Sequence, residues 1–246
     1  HRLIMTSTAY RQSSRRDPAK EKQDPDNLLL GRMNERRIEA ESLRDAMLFV
    51  SGKLNSKSGG TPVPVMFNEE GQSVIGIDTT DSAGRPSGKL IAMNGEDFRR
   101  SIYVQVRRTR PLGILETFDA PSMMEANCNE RPNTTVSPQS LLLMNNGSMR
   151  EFAQYFAQRL QREAPDDLAA QSARAVRLCY GRVPGEPEVK ACVAFVNAQT
   201  KFYQSHPAPL EYAVGPPSKT NADPSLLGLA ALCHVLMSGN EFLYVD

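Results

Sequence analysis

Three kinds of chemistry are available to the residues between Arg99 and Arg131 of this 246-residue chain. Glu116 and Asp119, with Glu125 close behind, are carboxylates that could serve as acid and base of a carbohydrate hydrolase if they face each other across a cleft at about 5–10 Å. Arg100, Arg107, Arg108 and Arg131, with Tyr103 among them, could instead recognise an anionic glycan or protein surface by bidentate contact and stacking. The third reading consumes both sets, because a planar guanidinium fork suits a carboxylate. Lys plus Arg number 29 against 28 Asp plus Glu, so partners are plentiful. We therefore expect Arg100, Arg107, Arg108, Glu116, Asp119 and Arg131 to form an internal ion and hydrogen-bond network, with Asp119 anchoring the turn into Ala120-Pro121.

Other constellations are weaker. Cys233 and His234 invite a nucleophile–base dyad, but neighbours on a helix point about 100° apart, so a structural His beside a small buried Cys is the simpler reading. His1, His206 and His234 are the only imidazoles, and none stands at a helical ligand interval from another. A histidine-built metal site is not expected. Neither CxxC nor CxxCH occurs, so the chain itself carries no haem attachment motif. Gly59-Gly60 runs into Thr61-Pro62 without the Lys-Ser or Lys-Thr helix start of a phosphate cradle. Cys128, Cys179, Cys192 and Cys233 are too few for a disulfide-built scaffold, although Cys179 and Cys192, near the facing ends of two helices, could pair if the chain is exported. A net charge of +1 lacks the field that draws nucleic acid. No apolar run approaches the roughly 18 residues of a membrane span.

The elements that must position these residues fall into two regimes. Arg36 to Val50 reads as a helix stopped by Gly52, with Ile38, Leu43, Ala46, Met47, Phe49 and Val50 on one arc. Arg37, Glu41 and Arg44 fall on the opposite arc, which we expect to be solvated. Glu39 points into the apolar arc, and its place in the first turn near the positive end of the helix dipole explains it. Residues 53–110 form a β-rich excursion: Pro64 to Phe67, Ser73 to Asp78, Lys89 to Met93 and the alternating Ser101 to Val106 read as strands, the last with Ile102, Val104 and Val106 facing inward. The half from 137 to 246 is helical. Ser137-Pro138 opens one helix, Ser148 and Glu151 have capping-box spacing for the next, and Asp166 to Tyr180 and Pro187 to Tyr203 form a hairpin across Gly181. Asp223-Pro224 opens a last helix that is apolar almost all round and belongs in the bundle's centre. The expected fold is mainly α: a helical, bundle-like domain with a small antiparallel β excursion, one domain over 1–246.

The phrases RRSIYV (99–104), ETFDAP (116–121), SPQSLLLMN (137–145) and NEFLYVD (240–246), in that order, resemble the planctomycete-specific PSD domain, domain of unknown function fifteen-fifty-three. HRLIMTSTAYRQSS (1–14), DPDNLLL (24–30) and RRIEAESLRDAMLFVSG (36–52) extend the resemblance nearly end to end. His1 falls inside a motif that normally lies well within the domain, so we expect a C-terminal fragment of a larger protein. The resemblance implies a secreted or periplasmic, multidomain redox protein of planctomycetes, with haem c on an upstream cytochrome module and none here. The family has no established activity. It also implies that the upstream domains of the same polypeptide are the partners, with polysaccharide as a further one. A noncatalytic structural or interaction domain is thus the leading expectation. The alternatives are a carbohydrate-active hydrolase using Glu116 and Asp119, or a binding module for anionic glycans.

Overall fold

The computed structural model describes residues 1–107, 111–121, 133–210 and 221–245. Two short helices, α1 (Arg2–Met5) and α2 (Pro18–Gln23), open the chain; the Asp17 carboxylate accepts from Ala19 N at 2.9 Å and caps the second. Strand β1 (Arg36–Arg37) leads into α3 (Ala40–Val50). Strands β2 (Val65–Phe67) and β3 (Ser73–Ile75) pair antiparallel, Val65 opposite Ile75. Two 3₁₀ turns, Glu96–Phe98 and Ser101–Tyr103, precede α4 (Gly113–Thr117). Then come α5 (Ser137–Asn145), α6 (Gly147–Glu163), α7 (Leu168–Tyr180), α8 (Glu186–Ser205), α9 (Pro224–Ser238) and α10 (Asn240–Leu243), and strand β4 (Tyr244–Val245) pairs antiparallel with β1. The protein is mainly α with two small antiparallel sheets.

Helix α9 packs against α5, α6, α7 and α8, as its apolar coat requires. Leu229, Leu232, Cys233 and Met237 are buried with Phe152, Phe156 and Leu160 of α6 and Val176 of α7. Its contact with α8 is close: a Cβ on Gly228 would lie 2.9 Å from Val196 O and 3.0 Å from Thr200 N. The α7–α8 hairpin turns at Gly181, whose φ of 70° is the left-handed geometry that glycine adopts without steric cost. A smaller apolar cluster, Val63, Val65 and Val104, sits under the β excursion.

Four elements depart from the sequence expectation, the first being α6, which is capped by Asn146, its Oδ1 accepting from Ser148 N at 2.9 Å, and not by a Ser148–Glu151 capping box. Helix α3 begins at Ala40, because Arg36 and Arg37 are drawn into strand pairing with Val245 and Tyr244. Glu39 is its N-cap residue, half-exposed and 3.6 Å from Arg36, rather than part of an apolar arc. Ser101 to Val106 is no strand: Ser101–Tyr103 is a 3₁₀ turn, and Val104 alone bridges to Val63. Val104 is buried, but Ile102 is 74% and Val106 68% exposed. The physical reason is capture by side chains of α3, described below, which competes with a ladder. Lys89 to Met93 lies outside any strand, and Met93 packs on the smaller cluster.

Candidate functional site

Helix α3 delivers two neighbouring side chains into the 97–104 segment. Arg44, which is 3% exposed, donates from Nη1 to Arg99 O (2.8 Å) and Ser101 Oγ (3.2 Å) and from Nη2 to Asp97 O (2.7 Å). Asp45 accepts from Ser101 N at 2.6 Å and from Arg100 Nε at 3.2 Å. Burial pulls Arg44 down to about 10, against the opposing pull of Asp45 and Asp97, so it remains a cation at neutral pH. Arg99 is the next hub. It is 1% exposed, donates to Thr61 O (2.9 Å), to Gly59 O and to Glu96 Oε2 (3.4 Å), and lies 4.3 Å from the Tyr103 ring centroid. The Gly59-Gly60 turn thus wraps an arginine of the chain itself.

The second centre is built on Asp119, which holds φ at 61° at the end of α4. Its Oδ2 takes a 2.5 Å hydrogen bond from Arg37 Nη2 and one of 2.8 Å from Thr134 N, and Oδ1 takes one of 2.9 Å from Thr134 Oγ1. Burial alone would raise the acid, but the bonds from Thr134 N, Arg37 and Thr134 Oγ1 together outweigh it and hold Asp119 below the usual aspartate range. Arg37 is 6% exposed; it also donates to Phe118 O (3.4 Å) and Thr134 O, and its Nε has no partner. Gln139 of α5 closes the centre, donating to Thr117 O at 3.0 Å and Thr134 O at 3.2 Å.

All four sequence phrases therefore lie at joints between distant segments, and the family comparison matches the same chain: the model of PSD1, protein of unknown function (DUF1553), covers residues 1–196. The chain belongs to this family. No curated protein and no solved structure matches it.

The structure distributes the residues expected to form one network over separate partners in this PSD1 chain. Arg100 reaches Asp45, Arg107 pairs with Asp78 at 2.8 Å and also donates to Gln105, and Asp119 is held by Arg37. Glu116 is exposed, with no partner among the described residues. Arg108, Arg131, Glu125 and Cys128 lie outside the described residues. Arg37 and Arg44, read from the sequence as part of a solvated face, are instead buried and, with the buried Arg99, organise these centres. The signal lay in Leu48: an arc that takes Leu48 in place of Phe49 encloses Arg44 between Met47 and Leu48, at about 100° per residue, and Phe49 is 56% exposed. Asp97, whose carbonyl accepts from Arg44, had no sequence signal.

In the helical half of the PSD1 chain, His234 gives Nε2–H to Leu143 O at 2.7 Å, tying α9 to α5. That use fixes its tautomer and takes it away from Cys233. Cys179, Cys192 and Cys233 are free thiols. Burial pushes Cys179 up to about 12 and Cys233 well above the ordinary range, so neither offers a thiolate nucleophile. Arg182 bridges Glu188 of α8 and Glu241 of α10. Among the described residues no group of His, Cys, Asp and Glu is arranged to hold a metal, and no helix is long and apolar enough to cross a membrane.

Proposed function

We propose that this chain is a noncatalytic structural and interaction domain of a secreted, multidomain protein. The observation that carries the reading is where the sequence phrases sit. Arg99 and Ser101 of RRSIYV are held by α3, Asp119 of ETFDAP by Arg37, Gln139 of SPQSLLLMN by Thr117 and Thr134, and Tyr244 of NEFLYVD by β1. Of the two candidate carboxylates, Asp119 is spent on holding the chain, and Glu116 stands exposed with no second carboxylate shown facing it among the described residues. An acid catalyst needs a raised pKa, whereas Asp119 is shifted down and both its oxygens are engaged.

The resemblance to planctomycete PSD domains adds the context: an exported redox protein in which a separate module carries haem c, this chain being the haem-free accompaniment. The partners are then the other domains of the same polypeptide, and export places the protein in the periplasm or outside the cell. Two measurements test the reading. Incubated with a panel of neutral and sulfated polysaccharides, the purified chain releases no reducing sugar above blank. Release that disappears in a folded Glu116→Gln variant makes it a hydrolase instead. A haem stain of the protein isolated from the producing cell, followed by peptide mapping, finds these sequences in a haem-positive polypeptide; a haem-free one removes the cytochrome association.

A further inference from the structure

Asparagine followed by glycine occurs twice in the chain, at Asn94-Gly95 and Asn146-Gly147, and the structure makes the two pairs chemically unequal. Asn94 is exposed, and its side-chain amide takes part in no hydrogen bond among the described residues. Asn94 at φ 52° and Gly95 at φ 84°, ψ 1° occupy the two central places of a tight turn, closed by Glu96 N on Met93 O at 3.1 Å. This is the type I′ geometry that Asn-Gly favours. Asn146 is held instead. Its Oδ1 accepts from Ser148 N at 2.9 Å, and Gly147 is already the first residue of α6, whose first turn carries no acid.

The neighbour that separates them is Asp97. Its half-buried carboxylate receives the Gly95 N–H, and burial raises it above the ordinary aspartate range against the pull of its own N–H, Arg44, the Gly95 N–H and Lys53. A carboxylate so placed is a stronger base than a solvated one, and it faces the proton that must leave before Gly95 N can act as a nucleophile. We infer that Asn94 is a site of self-modification, converted to aspartate and isoaspartate through a cyclic imide, with Asp97 as the base and water as the co-reactant. Gly95 N passes its proton to Asp97 and bonds to Asn94 Cγ; the Cγ–Nδ2 bond then breaks, and Nδ2 takes the proton back from Asp97 and departs as ammonia. Water opens the imide at either carbonyl. Opening at Cγ restores the main chain and leaves a carboxylate at position 94, whereas opening at the backbone carbon routes the chain through Cβ and Cγ and lengthens it. The longer route displaces Gly95 O, which accepts from Asn55 Nδ2 at 2.9 Å, at the start of the turn whose carbonyls at Asp97 and Arg99 are held by Arg44. Conversion at Asn94 therefore loosens the grip of α3 on this segment.

Peptide mapping of the whole chain, aged at neutral pH, reads both pairs at once, the amide-to-acid conversion by mass and isoaspartate by its fragmentation. In the folded protein Asn94 is expected to convert about tenfold or more faster than Asn146. In denaturant, where both are simple Asn-Gly pairs, the two rates should converge. Asn94 itself should react faster folded than denatured, a sign that only a base held at the turn gives. Asp97→Asn keeps the backbone carbonyl that Arg44 holds but removes the base, and should slow Asn94 by about tenfold or more while Asn146 is unchanged. Were Asp97 merely structural, its loss would loosen the turn and speed the reaction. Folded protein in which Asn94 reacts no faster than Asn146, or more slowly than in denaturant, overturns the inference. A folded Asp97→Asn protein whose Asn94 reacts at the wild-type rate or above it does the same.

Discussion

At the scale of single residues, burial separates arginines that the sequence leaves alike. Arg37 and Asp119 are nearly dry, so removing one partner strands the other, at a cost of about 3–5 kcal/mol. Asp119→Asn is the clean test, since Asn tolerates the left-handed backbone that Asp119 occupies. Denaturant titration at neutral pH should show that loss. The same carboxylate makes stability fall in acid. Its folded pKa lies below the unfolded one, so its contribution is complete above the ordinary aspartate range, about 4, and disappears as pH drops through the folded value. The wild-type protein should thus lose stability below about pH 4 more steeply than Asp119→Asn, and parallel curves would remove Asp119 as the cause. Arg44 and Arg100 make a second contrast. Arg44→Met leaves the carbonyls of Asp97 and Arg99 without their donor and should cost about 2–4 kcal/mol; Arg100→Ala breaks an ion pair whose cation is largely exposed and should stay within about 1 kcal/mol. Equal melting temperatures for the two variants would refute this division of roles.

Between elements, the decisive contact is α8 on α9. Replacing glycine by alanine inside a helix ordinarily gains about 1 kcal/mol, but the Cβ of Gly228→Ala would press on the α8 backbone at Val196 and Thr200. Close approach reverses the sign, and calorimetry should show a loss of about 1–3 kcal/mol; a raised melting temperature would mean the helices separate freely. The helices themselves were legible in the sequence, because Gly181, Asp223-Pro224 and the apolar coat of α9 act locally. What was not legible is what distant chain segments impose. Arg36 and Arg37 carry no sign that Val245 and Tyr244 will pull them out of helix, and alternation in Ser101 to Val106 cannot reveal that Arg44 and Asp45 will seize Arg99, Arg100 and Ser101. The candidate site was readable as a set of residue types rich in ion pairing, not as particular pairs, since the partners Arg37, Asp45 and Asp78 come from 29 to 82 residues away.

For the molecule as a whole, the C-terminal segment acts as a closing strap. Phe242 and Leu243 are buried in the main core, Leu243 O accepts from Ile38 N at 2.9 Å, and Tyr244 pairs with Arg37 and shares a 3.0 Å hydroxyl contact with Thr135. Arg37 is at once the strand partner of this strap and the fork on Asp119, so the strap, α3 and α4 converge on one residue. Glu241 extends the closure to Arg182 at the α7–α8 turn. Deleting residues 240–246 should accordingly do more than fray an end. Losing two buried apolar side chains alone costs about 3–6 kcal/mol, and Arg37 loses the strand that orients it. Hydrogen exchange gives the discriminating readout: the amides of Ile38 and Leu43 should lose protection together with those of α4, while α8, whose partners are retained, keeps most of its own. If only the amides next to the cut speed up and the denaturation midpoint holds, the strap is ornamental and the two halves are held by α6 and α9 alone.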